Sequence, residues 1–244
     1  MKVAIIGYGK MGKEMEKLLL LRGHEVPVKI DVDNQQLFNE ESMRGVDVAL
    51  EFTTPHTAFD NVMKCLEWGV PVVCGSTGWL DRIDEVRELC RKVNGTFFYA
   101  SNYSIGVNIF FRVNDYLARI MDGQPDYDVS MREIHHTQKK DAPSGTAVTL
   151  AEQILGNVER KSSWVNHETL DENTLGIVSV REDAVPGTHE VRCESAADTI
   201  EIIHTAKSRA GFVLGAVMAA EYAATHKGIL SMADLLPFSI IPLP

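Results

Sequence analysis

A glycine-rich turn between an apolar run and a helical pattern constrains this chain more than any other feature. Residues 1–6 (MKVAII) form the apolar run, and GYGKMG follows at residues 7–12. Apolar residues then recur at helical spacing, and residues 24–30 (HEVPVKI) predict a second strand that ends at Asp31. An acid about 20 positions beyond the last glycine is typical of a βαβ unit that binds a dinucleotide. An ordinary glycine turn is the alternative, and the strand, helix and acid around it make that alternative weaker.

Strand and helix patterns continue to alternate as far as residue 100. Strands are predicted over residues 46–52, 70–74 and 96–100, with helices over 57–68 and 80–93 between them. Such alternation predicts an α/β fold of Rossmann type, with a doubly wound parallel sheet. Ligands of these sheets bind beyond the carboxyl ends of the strands. Small polar loops follow three of the predicted strands, at residues 53–55, 75–78 and 101–104.

The pattern changes after a predicted helix at residues 108–121. Further strands are predicted over residues 128–134, 175–181, 188–194 and 199–205. Short turns join the last three strands, which favours antiparallel pairing in a separate mixed or antiparallel sheet. A helix over residues 209–222 is expected to return to the first domain. The predicted organisation is therefore a nucleotide domain of residues 1–105 and 209–244 around an inserted α+β domain of residues 106–208.

Composition excludes several classes of protein. The chain has 244 residues, 45% of them hydrophobic, and a net charge of −10. This length and hydrophobic content suit a large folded core, and the acidic charge argues against a nucleic-acid partner. The four cysteines form no C-x-x-C pair, so they are expected to be small buried hydrophobes in a reducing cytoplasm. No apolar run approaches the ~20 residues that a membrane span requires.

The segment HHTQKKDAPSGTA, residues 135–147, gathers chemically active side chains in one loop. Apolar residues at helical spacing follow it, which places Ser144–Thr146 at a helix N-terminus. Free backbone amides and the helix dipole there favour a carboxylate or phosphate, although capping by a hydroxyl would explain the same residues. Lys139 and Lys140 add positive charge, and a solvated charged loop is the remaining alternative.

The loop carries two adjacent histidines, His135 and His136, and histidine is the residue type best suited to proton transfer near neutral pH. A metal site with Glu133 or Asp141 is the alternative. Neighbouring residues on a strand point to opposite faces, so one ion would rarely take both histidines, and no metal is expected.

The stretch EIHHTQKKDAPSGTA resembles the signature of the 4-hydroxy-tetrahydrodipicolinate reductases, also called dihydrodipicolinate reductases. The similarity extends over nearly the whole chain, through GYGKMG, EFTTP, CGSTGW, SNYSIGVN and GTHEV. It implies an NAD(P)H-dependent oxidoreductase of the diaminopimelate route to lysine, acting on a small dicarboxylate. It also implies a homotetramer assembled through the inserted sheet of a substrate-binding and oligomerisation domain.

The resemblance also implies residue roles. His135 and Lys139 are the expected catalytic proton donors, and the expected substrate contacts are His136, Ser144, Gly145 and Thr146. The expected cofactor contacts are Gly7, Tyr8, Gly9, Lys10, Met11, Gly12, Asp31, Phe52, Thr53, Gly75, Ser76, Thr77, Ser101, Asn102, Tyr103 and Ser104.

Two positions bear on the choice of cofactor. Asp31 suits the free ribose hydroxyl of NADH, and Val32 stands where an arginine would favour a 2′-phosphate. The sequence therefore predicts a preference for NADH, while Lys10 or Lys29 leaves NADPH possible.

Two other functions remain open at this stage. One is another dehydrogenase of small amino or keto acids, which would leave the histidine loop unexplained. The other is a non-catalytic sensor of dinucleotide redox state, which would have no need of His135 and Lys139 as proton donors.

Overall fold

The computed structural model describes residues 1–183 and 185–236. Two compact units make up the chain: a first unit of Met1–Ser104 with Ala210–Pro244, and a second unit of Ile105–Arg209. In the described ranges, no helix combines the length and apolar character needed to cross a bilayer. The four cysteines are free and buried, as the sequence predicted.

The strands are β1 (Lys2–Ile6), β2 (Glu25–Ile30), β3 (Val48–Glu51), β4 (Val72–Cys74), β5 (Thr96–Tyr99), β6 (Asp128–His135), β7 (Ser163–Val165), β8 (Thr174–Arg181), β9 (Thr188–Glu194), β10 (Thr199–Thr205) and β11 (Gly228–Leu230). The helices are α1 (Lys10–Leu21), α2 (Glu40–Met43), α3 (Pro55–Glu67), α4 (Ile83–Lys92), α5 (Ile105–Asp122), α6 (Gly145–Asn157), α7 (Ala210–Ala223) and α8 (Met232–Leu235). Short 3₁₀ turns cover Val32–Leu37 and Leu80–Arg82.

The first unit is built on a six-stranded sheet in the order β11-β5-β4-β3-β1-β2, in which every neighbouring pair is parallel. Strands β3 and β4 are buried along their whole length, as expected where helices cover both faces of a parallel sheet. Helix α1 packs against α7, and α3 packs against α4. The predicted Rossmann-type fold is confirmed. The edge strand β11 was not predicted, because three residues are too few to display a period.

Helix α7 belongs to the first unit and packs against β3, β4 and β5. Its close approach depends on Gly215, because a Cβ at this position would lie 1.7 Å from the carbonyl oxygen of Tyr103. A side chain at position 215 would therefore push α7 away from the segment that follows β5.

The second unit holds a five-stranded mixed sheet in the order β10-β9-β6-β8-β7. Strand β9 is antiparallel to β6 and β10, whereas β8 is parallel to β6 and β7. Helices α5 and α6 pack on each other and against this sheet, around a core that includes Leu150, Ile154 and Leu175. The mixed sheet is as predicted.

The short turns predict that β8 and β9 are antiparallel neighbours. This prediction is wrong, because β6 lies between β8 and β9. The chain that leaves β8 passes the end of β6, where the Glu182 amide donates to the His135 carbonyl over 2.8 Å. Gly187, with φ +155°, lets the chain pass beside the His135 ring. A short connection alone does not distinguish a hairpin from a crossing over one intervening strand.

Candidate active site

The glycine turn after β1 is tied to the end of β2. The amides of Gly7 and Tyr8 donate to the Ile30 carbonyl over 2.9 and 3.1 Å. Gly7 has φ +101°, and a Cβ there would lie 2.1 Å from the carbonyl oxygen of Phe52. The first glycine is therefore required by both the turn and the contact with the chain after β3.

The other two glycines shape the N-terminus of α1. Gly9 is the N-cap, and apart from Gly9 itself and its neighbours in the chain, no atom of the described residues lies within 4 Å of a Cβ built on it. Gly12 is buried, and a Cβ there would lie 2.5 Å from the Gly7 carbonyl oxygen. Lys10 and Met11 complete a first helical turn without acidic residues. An open backbone at a helix N-terminus fits the pyrophosphate of a dinucleotide.

At the end of β2, Asp31 is held by the chain that follows it. Its carboxylate accepts from the Val32 amide over 2.9 Å, and its own amide donates to Asn34 Oδ1 over 2.7 Å. This geometry leaves a fixed acid at the position where Rossmann folds bind a ribose hydroxyl.

Lys29 lies beside the glycine turn and is paired with an acid of α1. Its Nζ is 2.9 Å from Glu16 Oε1 and 5.5 Å from the centre of the Tyr8 ring. The Tyr8 hydroxyl donates to the other oxygen of Glu16. The hydrogen bonds from Tyr8 and Lys29 lower the pKa of the Glu16 carboxyl, which keeps this pairing ionic.

The loops after β3 and β4 are joined by hydrogen bonds. The Thr53 amide donates to Ser76 Oγ over 2.8 Å, and a Cβ at Gly75 would lie 2.1 Å from the Phe52 ring. Thr77 is exposed next to them.

Beneath these loops lies Glu51, a fully buried carboxylate that accepts from the Thr53 hydroxyl and from Asn61 over 3.2 Å. Reading the sequence did not single out Glu51. Its position as the last residue of β3 was the sequence feature that could have identified it as a candidate.

The loop after β5 carries the last group of predicted cofactor residues. Tyr103 is buried, and its hydroxyl donates to the Cys74 carbonyl over 2.7 Å. The Ser104 amide donates to Asn102 Oδ1 over 2.8 Å, while Ser101 is exposed. All the predicted cofactor residues thus belong to the first unit, at the carboxyl ends of β1, β2, β3, β4 and β5.

In the second unit, the histidine loop runs from the end of β6 to the start of α6. Ser144 is the N-cap of α6, and its Oγ accepts from the Ala147 amide over 3.2 Å. The same Oγ lies 3.1 Å from Nε2 of His189 on β9. One residue thus caps α6 and also contacts His189.

Glu133 is fully buried on β6 and receives several hydrogen bonds. The Ser144 amide lies 3.1 Å from both carboxylate oxygens, Ser179 Oγ donates over 2.8 Å, and an Arg181 nitrogen donates over 3.2 Å. Burial opposes the ionised form, but the hydrogen bonds to the carboxylate outweigh it and hold the Glu133 pKa well below its usual range. Glu133 is therefore a buried anion.

Two histidines face this anion. Nδ1 of His135 and Nε2 of His189 lie 3.4 and 3.8 Å from Glu133 Oε2, and the two rings meet edge to face at 5.0 Å. Burial, with the neighbouring His135, lowers the His189 pKa to about 4, so His189 is neutral at pH 7. Gly187 lies against Nε2 of His135, where a Cβ would come within 3.0 Å.

The remaining predicted residues surround the loop. Nζ of Lys139 is 2.8 Å from Asp141 Oδ2, and this contact lowers the Asp141 pKa. His136 is half-buried, Gly145 is exposed and Thr146 is half-buried, in keeping with residues open to a ligand.

Glu133, His135 and His189 bring possible ligand atoms within 4.8 Å of one another, which is close enough for a cation. The Glu133 oxygens already accept from the Ser144 amide, a hydroxyl and a guanidinium, so the arrangement fits a hydrogen-bonded network better than a metal site.

Sequence reasoning missed His189, Ser179 and Arg181 and considered Glu133 only as a metal ligand. Glu133 and His135 are two residues apart on β6, so strand alternation was a usable signal for this pair. His189 is opposite Glu133 in the register of β6 and β9, which no local pattern reveals.

Comparison with known proteins gives a consistent result. Residues 1–103 match the family model "Dihydrodipicolinate reductase, N-terminus", and residues 106–236 match the corresponding C-terminus model. A 4-hydroxy-tetrahydrodipicolinate reductase of Christiangramia forsetii is 48% identical, with 97% of this chain and 98% of that protein aligned. The reductase of Archaeoglobus fulgidus is 32% identical over 97% of this chain and 100% of its own length.

Solved structures show the same fold. A dipicolinate-bound dihydrodipicolinate reductase from Paenisporosarcina superposes with a TM-score of 0.78 at 24% identity, covering 97% of this chain and 99% of that one. A probable dehydrogenase from Thermotoga maritima gives a TM-score of 0.60 at 11% identity, covering 96% and 92% of the two chains. Matches to both halves, together with these full-length relatives, show that the chain belongs to the dihydrodipicolinate reductase family.

Proposed function

We propose that this protein is a 4-hydroxy-tetrahydrodipicolinate reductase, which reduces its substrate to tetrahydrodipicolinate with NAD(P)H in the diaminopimelate route of lysine biosynthesis. One observation carries the proposal: family membership over both halves coincides with a loop that presents His135 and Lys139 beside a helix N-terminus. Relatives bear this enzyme name, and dipicolinate, a planar dicarboxylate, occupies a solved structure of similar fold.

The residues of the second unit suit a small dicarboxylate. Gly145 and Thr146 at the start of α6 would hold one carboxylate, with Ser144 shaping the turn and His136 making a further contact. Lys139 is held by Asp141, and a substrate carboxylate could replace that acid as its partner. Loss of water from the hydroxylated substrate gives the dihydrodipicolinate, and His135 and Lys139 would then supply the proton that its reduction requires at the carbon next to the one that receives the hydride.

Residues of the first unit would hold the nicotinamide cofactor. When bound, the cofactor supplies the hydride. The pyrophosphate would lie on the N-terminus of α1 at Gly9, and Phe52 and Thr53 would border the nicotinamide. The buried Glu51 would keep Thr53 and its loop in place.

NADH is the proposed preferred cofactor. Asp31 would accept from a ribose hydroxyl and repel a 2′-phosphate. Lys29, whose free ammonium group would favour NADPH, is paired with Glu16. NADPH would still be accepted, at lower efficiency.

We also propose a cytoplasmic homotetramer. The second unit has a groove of about 840 Å³ lined by outward-facing side chains of the sheet, including Arg132, Val178, Glu190 and Arg192. A second copy of this mixed charged and apolar face would bury it. Light scattering after size-exclusion chromatography would show four subunits, and a monomer would contradict the assembly. Four free, buried cysteines suit a reducing compartment.

The proposal is tested by following loss of nicotinamide absorbance with substrate supplied by the preceding synthase. Wild type should turn over faster with NADH than with NADPH. Replacing His135 or Lys139 with alanine should lower kcat by about 10²–10⁴-fold without weakening NADH binding. The matched control is His167→Ala, which removes an exposed histidine of the same unit.

A complementary measurement separates the reductase from a redox sensor. Pyridine-2,6-dicarboxylate should raise the melting temperature beyond the effect of NADH alone. Tight NADH binding with no turnover and no response to this dicarboxylate would refute the reductase and favour the sensor.

A further inference from the structure

Glu133 is a buried charge that the proposed proton transfers do not use directly. Burying a carboxylate is costly unless hydrogen bonds and opposite charge compensate it. Here the compensation comes from three residues of two elements: Ser144 at the N-terminus of α6, and Ser179 and Arg181 on β8. One side chain thus connects β6 to both neighbouring elements of the predicted substrate site.

The same carboxylate faces the proposed catalytic histidine. Alternation along β6 puts Glu133 and His135 on one face of the strand, with Nδ1 3.4 Å from Oε2. That Nδ1 is buried and has no hydrogen-bond partner among the described residues, and Glu133 Oε2 is the carboxylate oxygen that faces it.

An ionised carboxylate can accept a hydrogen bond from an Nδ1–H group but has no hydrogen to donate to an unprotonated Nδ1. It therefore favours the histidine tautomer with a proton on Nδ1, and it leaves Nε2 as the atom that exchanges a proton. Nε2 of His135 lies beside Gly187, where the missing side chain leaves room.

His189 does not compete for this role. It is neutral, it lies farther from Glu133 at 3.8 Å, and its Nε2 is 3.1 Å from Ser144 Oγ. Arg181 neutralises the carboxylate from the opposite side through the Oε1 oxygen. The Oε2 oxygen of Glu133 is thus oriented toward His135 while Oε1 is held by β8.

We propose that Glu133 is a positioning residue for the reduction, which fixes the tautomer and orientation of His135 and links them to the carboxylate seat at the N-terminus of α6. The inference rests on the proposed function, since it concerns the proton donor of that reaction.

The first test measures the wild-type protein and uses a variant only to assign signals. In wild type labelled with ¹⁵N at histidine, above the pH range in which histidine titrates, the His135 ring should carry its proton on Nδ1. The His135→Ala spectrum identifies its signals. A ring protonated on Nε2 would overturn the proposal.

The second test compares Glu133→Gln with Glu152→Gln, which removes the same charge from an exposed position of α6. A glutamine amide can still accept from Ser144 and Ser179, but it can also donate to Nδ1. We expect kcat to fall about 10²-fold in Glu133→Gln, with KM for NADH unchanged and the His135 tautomer shifted. Glu152→Gln should match wild type in all three.

A purely structural Glu133 would give a different result. Glu133→Gln would then lower the melting temperature while kcat per folded molecule stayed within threefold of wild type, and the proposal would be wrong. If Glu133→Gln does not fold, the tautomer of His135 in wild type still tests the proposal. Turnover by wild type separates the two failures, because its absence would count against the reductase function and not against Glu133 alone.

Discussion

Replacing His189 with glutamine should remove a defined part of the protein's sensitivity to acid. His189 is 5% exposed on β9, and its burial and the neighbouring His135 lower its pKa from 6.5 to about 4. Glutamine preserves a polar group near Ser144 Oγ but cannot take up a proton in this range.

The sign follows from the two pKa values. Below pH 6.5 the unfolded chain binds a proton at this histidine, whereas the folded protein does not until about pH 4. Stability from this residue is therefore complete above pH 6.5 and is lost as the pH falls toward 4. A difference of roughly 2.5 units at 1.36 kcal/mol per unit corresponds to roughly 3 kcal/mol, a large share of a typical folding free energy.

Urea unfolding at several pH values between 7.5 and 4 measures the effect. Between these limits the free energy of unfolding of wild type should fall by roughly 3 kcal/mol more than that of His189→Gln. The exposed His167 provides the control, since His167→Gln should keep the wild-type pH dependence. Glu133 contributes to the pH dependence of stability only below its ordinary pKa of 4.5. Wild type, His189→Gln and His167→Gln share this contribution. Equal pH dependence in wild type and His189→Gln would refute the reasoning.

Two further predictions concern the first unit. Gly75→Ala would place a methyl group 2.1 Å from the Phe52 ring, so the ring must shift. We expect the free energy of unfolding in urea to fall by about 1–3 kcal/mol and the KM for NADH to rise. Unchanged values of both would contradict the packing argument. Glu16→Gln would release Lys29 from its ion pair. The ratio of kcat/KM for NADPH to kcat/KM for NADH should therefore rise several-fold. The double variant Glu16→Gln with Lys29→Met should return this ratio to the wild-type value, and an unchanged rise would show that Lys29 is not responsible.

Much of the first unit could be predicted because its signals are local. Gly7, Gly9 and Gly12 mark the turn, and close backbone contacts give Gly7 and Gly12 each a separate steric reason. The ends of β9 and β10 were also predicted residue for residue. Strand β11 was missed, since its place at the sheet edge depends on pairing with β5 rather than on a pattern of its own.

The second unit shows where local reasoning ends. The short turn between β8 and β9 predicts that these strands pair antiparallel, but β6 lies between them and carries the histidine loop. Strand pairing joins residues far apart in the chain, and connection length constrains it only weakly.

By itself the sequence determined the dinucleotide-type fold, the histidine loop at the start of α6 and the family, because glycine geometry, periodicity and a contiguous motif are properties of neighbouring residues. The tertiary structure decided what surrounds His135. Glu133 is two positions away, but His189 and Arg181 come from β9 and β8, and only the registers of these strands bring them to one buried carboxylate. The low pKa of His189 is a consequence of that burial, whereas Glu133 is ionised because its hydrogen bonds outweigh burial. Desolvation and hydrogen bonding both depend on the surroundings of a side chain and not on its identity.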